Sequence, residues 1–206
     1  MLFALLFVAF FAISVAVRLG DTSALDLRFT RTLQTHMPLI GDRIALGLKF
    51  LGNGGTLFAV ATVAAIALYR AHHRVEALFA LLTPLGELID FAMKTAFGRP
   101  RPSRDLVHVL APTFGLSYPS GHAMASTMVY GFLGYLAWTR LEGPRRFWLT
   151  ALCAFLAVAI GVSRIYVGAH WLSDVLGGWC SGCFFLMIFI HLHRKYTANR
   201  PAASAQ

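Results

Sequence analysis

Apolar residues fall into long runs separated by short polar stretches, and the length of the runs is the first information in the chain. Five runs carry no charge: Leu2–Val17, Phe50–Tyr69, Ala123–Thr139, Phe147–Ser163 and Val175–Ile190. A sixth, Val75–Met93, is as apolar but contains Glu76, Glu87 and Asp90. A helix crossing a bilayer needs ~20 residues, with a range of ~17–25. Several runs reach that length only when their polar flanks join the helix. The pattern predicts an all-α fold, an integral membrane bundle of six transmembrane helices.

Residues 18–49 have a different rhythm. Leu25, Phe29, Leu33 and Met37 recur at every fourth position, with Arg28 and Arg31 between them. That spacing predicts an amphipathic segment lying in the membrane interface after the first span, with an ordinary solvated loop as the alternative. The first run has no basic residue ahead of it, so it reads as a retained span rather than a signal peptide, although Ser14-Val15-Ala16 is a weak cleavage-like triplet. Residues 1–196 form one predicted domain, and 197–206 a disordered tail.

Composition agrees with the pattern. Hydrophobic residues make up 57% of the 206 and charged residues 13%, against ~25% charged in soluble domains. Mean hydropathy is +0.64. The net charge of +9 does not indicate nucleic acid, because the cations are scattered between apolar runs and form no single stripe. Three clusters fall on one side if six helices alternate: Arg70 and Arg74; Arg140, Arg145 and Arg146; Arg194, Lys195 and Arg200. That side is predicted to be cytoplasmic. Of the three cysteines, Cys180 and Cys183 form a C-x-x-C inside an apolar run. With no second ligand pair nearby they read as packing residues, since structural zinc takes about four ligands.

Three blocks share the opposite side. They are Lys94 to Pro102, Tyr118-Pro119-Ser120-Gly121-His122, and Ser163-Arg164 followed by His170 and Asp174. Lys94, Arg101 and Arg164 would repel one another unless an anion lay between them, and guanidinium forks match phosphate oxygens. Ser120 and Gly121 precede a helical run, where an N-cap hydroxyl, close backbone approach and free N–H groups favour an anion. His170 and Asp174 are four apart and share a helical face. The carboxylate takes the proton of one imidazole nitrogen and leaves the other free to attack phosphorus. His122 is then available as general acid on the leaving oxygen.

These blocks resemble the signature of the type 2 phosphatidic acid phosphatase family: K-x6-R-P, then P-S-G-H, then S-R-x5-H-x3-D. They read here as Lys94…Arg101-Pro102, Pro119-Ser120-Gly121-His122 and Ser163-Arg164…His170…Asp174, with no departure. The resemblance implies a six-helix membrane bundle, an outward-facing site in a bacterial inner membrane, and hydrolysis of a lipid phosphomonoester or pyrophosphate. It implies a phosphohistidine on His170, oriented by Asp174, with His122 as acid. Lys94, Arg101, Ser120, Gly121 and Arg164 would hold the phosphate, with no metal and no cofactor. Phosphatidic acid, phosphatidylglycerophosphate and undecaprenyl pyrophosphate all remain open as substrates, as does the oligomeric state. A non-catalytic lipid-phosphate carrier and a vanadium-dependent haloperoxidase are the alternatives. The His–Asp pair argues against the first and the apolar spans against the second.

Glu87, Asp90 and Lys94 share one helical face, and Asp90 is read as orienting Lys94. Arg99 and Arg104 read as steering groups or headgroup anchors. His36, His72, His73, His108, His191 and His193 lack partners at useful spacing and read as non-catalytic. Gly178 and Gly182 read as a packing face within the bundle.

Overall fold

The computed structural model describes residues 1–36 and 40–198, and every described element is helical. The order is α1 (Leu2–Leu19), α2 (Ser23–His36), α3 (Ile40–Leu51), α4 (Gly54–Arg70), α5 (Arg74–Leu82), α6 (Gly86–Phe97), α7 (Gly121–Arg140), α8 (Gly143–Tyr166) and α9 (Leu172–Ala198). Three helices, α1, α8 and α9, are long and apolar enough to cross a membrane, and the bent pair α3–α4 is a fourth if taken as one span. On α1, Leu5, Val8 and Phe11 are exposed, and on α8 so are Trp148, Phe155 and Val158. Apolar surface on this scale is stable only against lipid tails, so the chain is an integral membrane protein.

Two of the apolar runs depart from a single straight helix, each for a local reason. The run from Val75 is broken into α5 and α6 by one 3-10 turn at Thr83–Leu85. Pro84 lies in that turn, where it has no N–H to give to a continuing helix. The run from Phe50 bends by 59° between α3 and α4. Asn53 caps α4 by accepting the Gly55 N–H at 2.9 Å. Gly52 sits just before this break, where a side chain would meet Ile160 and come within 3.2 Å of the His122 ring.

α7 is the axial helix. Its small and medium residues, among them Ala123, Ala125, Ser126 and Gly134, are buried against neighbours on several sides. α9 packs along it through the predicted glycine face: a Cβ on Gly178 would lie 2.6 Å from the Ser120 carbonyl, and one on Gly182 2.9 Å from the Met124 carbonyl. Backbone contact this close admits only glycine, so the pair serves packing within the bundle. Cys180 and Cys183 are free thiols on the same helix.

The segment after α1 is not one helix but two, α2 and α3. On α2 the fully buried positions are the polar Asp26 and Thr30, while Leu25 and Phe29 are exposed. Met37 lies outside the described residues, as do Arg200 and most of the expected tail; Thr197 and Ala198 belong to α9. At the end bearing the other predicted cytoplasmic cations, Glu76 of α5 pairs with Arg140 of α7, and His193 of α9 stands 3.7 Å from it. The opposite end gathers the C-termini of α6 and α8 with the N-termini of α7 and α9, and there the three sequence blocks meet.

Candidate active site

A cavity of about 510 Å³ opens at that end, lined by Lys94, Arg101, Gly121, His122, Arg164 and His170 together with Glu87 and Asp90. Helix termini position most of these groups. Lys94 stands in the last turn of α6, paired with Asp90 one turn earlier. Asp90 therefore orients Lys94, as its spacing predicts. Arg164 comes from the last turn of α8 and is completely buried. His170 lies in the short link between α8 and α9, whose course depends on Gly168 at φ +69°. A side chain at Gly168 would be strained by that angle and would press on the His108 carbonyl.

Ser120 is the N-cap residue of α7, but its hydroxyl makes no capping bond. Its Oγ is buried and has no partner among the described residues, and the same holds for His122 Nε2 and all three guanidinium nitrogens of Arg164. Buried donors and cations are normally satisfied, because leaving them dry costs the full desolvation energy. Gly121 is required for a reason its sequence context did not reveal. A Cβ there would lie 2.5 Å from Asp90 Oδ2 and 3.2 Å from Lys94 Nζ, so what approaches the backbone is the Asp90–Lys94 pair.

His170 is almost wholly buried. Arg101 donates to its Nε2 at 3.0 Å and to the Ala169 carbonyl at 2.8 Å. An Nε2 that accepts must leave the ring proton on Nδ1, and Nδ1 faces Asp174 Oδ2 at 3.5 Å, close enough for attraction but too far for a formed hydrogen bond. Burial lowers the His170 imidazole from its ordinary value to about 3, outweighing the opposing pull of Asp174. The resting ring is therefore neutral at physiological pH. Burial also pulls the Arg101 guanidinium below its ordinary value.

Asp174 has no exposed surface. Its Oδ2 accepts from the Ser117 hydroxyl and from the Trp171 N–H at 2.8 Å. Its Oδ1 accepts from Arg99 at 2.7 Å. Arg99 is thus neither a steering group nor a headgroup anchor: its two terminal nitrogens are taken up by Asp174, Ser173, Asp26 and Thr22. Sequence reasoning missed Asp26, Ser117 and Ser173. The available signal for Asp26 was a lone acid on the polar side of an amphipathic stretch. Arg104 is exposed and lines a separate surface hollow with Arg31 and Asp105. Among the described residues no three His, Cys, Asp or Glu side chains group as a metal-binding set.

Helix ends and the links beside them thus bring two imidazoles, one facing a carboxylate, and three cations to the lining of one cavity. The chain belongs to the PAP2 superfamily, whose family model matches residues 75–198, as the three motif blocks imply. It is 25% identical over 189 residues to phosphatidylglycerophosphatase B of Bacillus subtilis, covering 88% of this chain and 91% of the relative. It is 31% identical over 116 residues to undecaprenyl-diphosphatase of Sulfolobus acidocaldarius, covering 55% of this chain and 51% of that one. The solved transmembrane PAP2-type phosphatidylglycerolphosphate phosphatase from Bacillus subtilis superposes with a TM-score of 0.83 at 21% identity, over 96% of this chain and 98% of that chain. At that identity the likeness speaks for the fold.

Proposed function

We propose that this chain is a lipid phosphatase that removes phosphate from a lipid phosphomonoester or pyrophosphate through a covalent intermediate on His170. The observation that carries the reading is the pair of buried, unpartnered groups lining the cavity, the Arg164 guanidinium and His122 Nε2. A phosphoryl group supplies the acceptors these donors lack.

In this scheme the phosphate enters between Lys94, Arg101 and Arg164. Arg101 moves its N–H from His170 Nε2 to a phosphate oxygen and so frees the nitrogen lone pair. Nε2 attacks phosphorus in line with the bond to the lipid oxygen. As the N–P bond forms and the P–O bond breaks, protonated His122 gives its proton to the departing oxygen. Asp174 stabilises the positive charge that develops on His170. The three cations and the α7 N-terminus stabilise the equatorial oxygens. Water then attacks the phosphohistidine with His122 as base, releasing phosphate and restoring both rings.

The membrane arrangement belongs to the same proposal. α1, α3–α4, α5–α6, α7, α8 and α9 form six spans of a single domain, the two broken ones tolerated because the Asn53 cap and the Thr83–Leu85 turn satisfy backbone groups at the breaks. The cation clusters at the other end support a site on the outer face of a bacterial inner membrane. Among substrates, the relative matched over nearly its whole length favours phosphatidylglycerophosphate, with undecaprenyl pyrophosphate and phosphatidic acid as the competitors. The test is phosphate release from these three lipids by detergent-purified protein with chelator present. Release from at least one, lost in His170→Ala, is expected. Tight lipid binding with no release would instead mark a carrier.

A further inference from the structure

α2 contributes a buried carboxylate to the far side of the site, and the catalytic scheme does not use it. Asp26 is 1% exposed. Its Oδ2 accepts from Arg99 at 2.7 Å and from the Ser173 hydroxyl at 2.7 Å, and its Oδ1 accepts the Ser173 backbone N–H at 2.8 Å. Arg99 in turn donates to Asp174 Oδ1 at 2.7 Å. One guanidinium is therefore clamped between two buried carboxylates, with Trp171 6.0 Å from it. The Ser173 N–H belongs to the first turn of α9, so Asp26 also satisfies one of the donors left open at that helix start.

We infer that Asp26 and Arg99 are a positioning pair for the nucleophile, fixing Asp174 and through it the tautomer of His170. This rests on the reading of His170 as the attacking residue.

Charge balance is the core of the argument. Asp26, Asp174 and Arg99 carry one net negative charge, which belongs to the carboxylate facing His170. Arg99 occupies Oδ1 while Ser117 and Trp171 hold Oδ2. With Oδ1 engaged, the carboxylate plane is fixed, and only Oδ2 addresses the ring. Without Arg99, two buried carboxylates would face each other, and a proton would be shared between them. Asp174 would then no longer hold the His170 proton on Nδ1. Without Asp26 as well, Asp174 becomes the sole carboxylate again, so the second substitution should partly undo the first. A role confined to packing would not give this rescue.

The experiment compares wild type, R99Q, R99K, D26N and D26N/R99Q in detergent, with phosphate release from whichever of the three lipids wild type hydrolyses fastest as the assay. R99Q should lower kcat by about 100-fold with KM within about threefold, because the pair touches no substrate. R99K, a point charge that cannot fork to both carboxylates, should fall between. D26N/R99Q should regain about tenfold over R99Q. In parallel, NMR of 15N-histidine-labelled protein reads the His170 tautomer without turnover: Nδ1–H in wild type, mixed in R99Q, recovered in the double variant. Wild-type kcat in R99Q or R99K, a loss carried by KM, no rescue by D26N, or an unchanged tautomer in R99Q would each overturn the inference. If R99Q does not fold, R99K and D26N decide, since each should lower kcat by about tenfold and shift the tautomer. If wild type releases phosphate from none of the three lipids, the lipid-phosphatase reading fails, and the tautomer still decides the positioning role.

Discussion

Arg164 presents a conflict between stability and function that can be measured directly. Its side chain has no exposed surface, and its guanidinium nitrogens have no partner among the described residues. Its cavity is shared with two more cations, Lys94 and Arg101. An uncompensated buried charge costs several kcal/mol even after relaxation. Replacing Arg164 with Met keeps most of the stem volume, removes the charge and relieves the repulsion. If about 2–3 kcal/mol is recovered, a chain of this length should gain roughly 4–12 °C in Tm, at ~2–4 °C per kcal/mol. Phosphate release should fall by about 10²–10³, the usual effect of removing one donor to a developing oxyanion. The assay is thermal unfolding in detergent with and without vanadate. At 100 times its Kd, vanadate should stabilise wild type by about 2.7 kcal/mol and R164M far less. A Tm for R164M equal to or below wild type would refute the claim that this guanidinium is held unpaired for a ligand. Equal vanadate shifts in the two proteins would refute it independently.

Other predictions use the same geometry. Asp174→Asn should lower kcat by roughly 10³–10⁴, because an amide cannot hold the ring proton on Nδ1, while KM changes little; steady-state kinetics check this. Gly121→Ala should drive the Asp90–Lys94 pair from its place, since the new methyl would lie 2.5 Å from the carboxylate, and should raise KM as well as lower kcat. Gly178→Leu should destabilise the α7–α9 contact by about 1–3 kcal/mol through overpacking, read as a lower Tm. The depressed His170 value gives a pH dependence of known sign. Between its folded value of about 3 and its ordinary value of 6.5, the unfolded chain binds a proton that the folded chain does not. Stability should therefore fall as pH drops through that window, and His170→Gln should flatten the slope.

The residues that meet at the cavity were legible in the sequence because each block keeps its residues within one helix end or one short loop. His170 and Asp174 are a helical turn apart, and Ser120, Gly121 and His122 are consecutive, so local spacing already fixes their geometry. The support around them was not legible. Asp26 meets Arg99 from 73 residues away and Ser173 from 147, and nothing in the period of α2 says which protein face its polar side will meet. The interfacial reading of that stretch concerned only its apolar side, and Leu25 and Phe29 are exposed, while Asp26 and Thr30 turn inward. Arg99 read as a steering group or a headgroup anchor for the same reason: a loop arginine shows no sign of a distant carboxylate. The breaks at Pro84 and Asn53 were also hidden, since hydropathy averages over a turn and does not register one missing N–H or one cap.

The central claim is that a phosphoryl group becomes bonded to His170. Rapid acid-free quenching of the wild-type protein with ³²P-labelled phosphatidic acid, followed by peptide mapping, tests it directly. Label on the peptide containing His170, stable to base, lost in acid and absent from His170→Ala, is the expected result, with more label accumulating in His122→Ala if that variant still forms the intermediate. Phosphate release at wild-type rates by His170→Ala, or label that persists when His170 is replaced, would contradict the account.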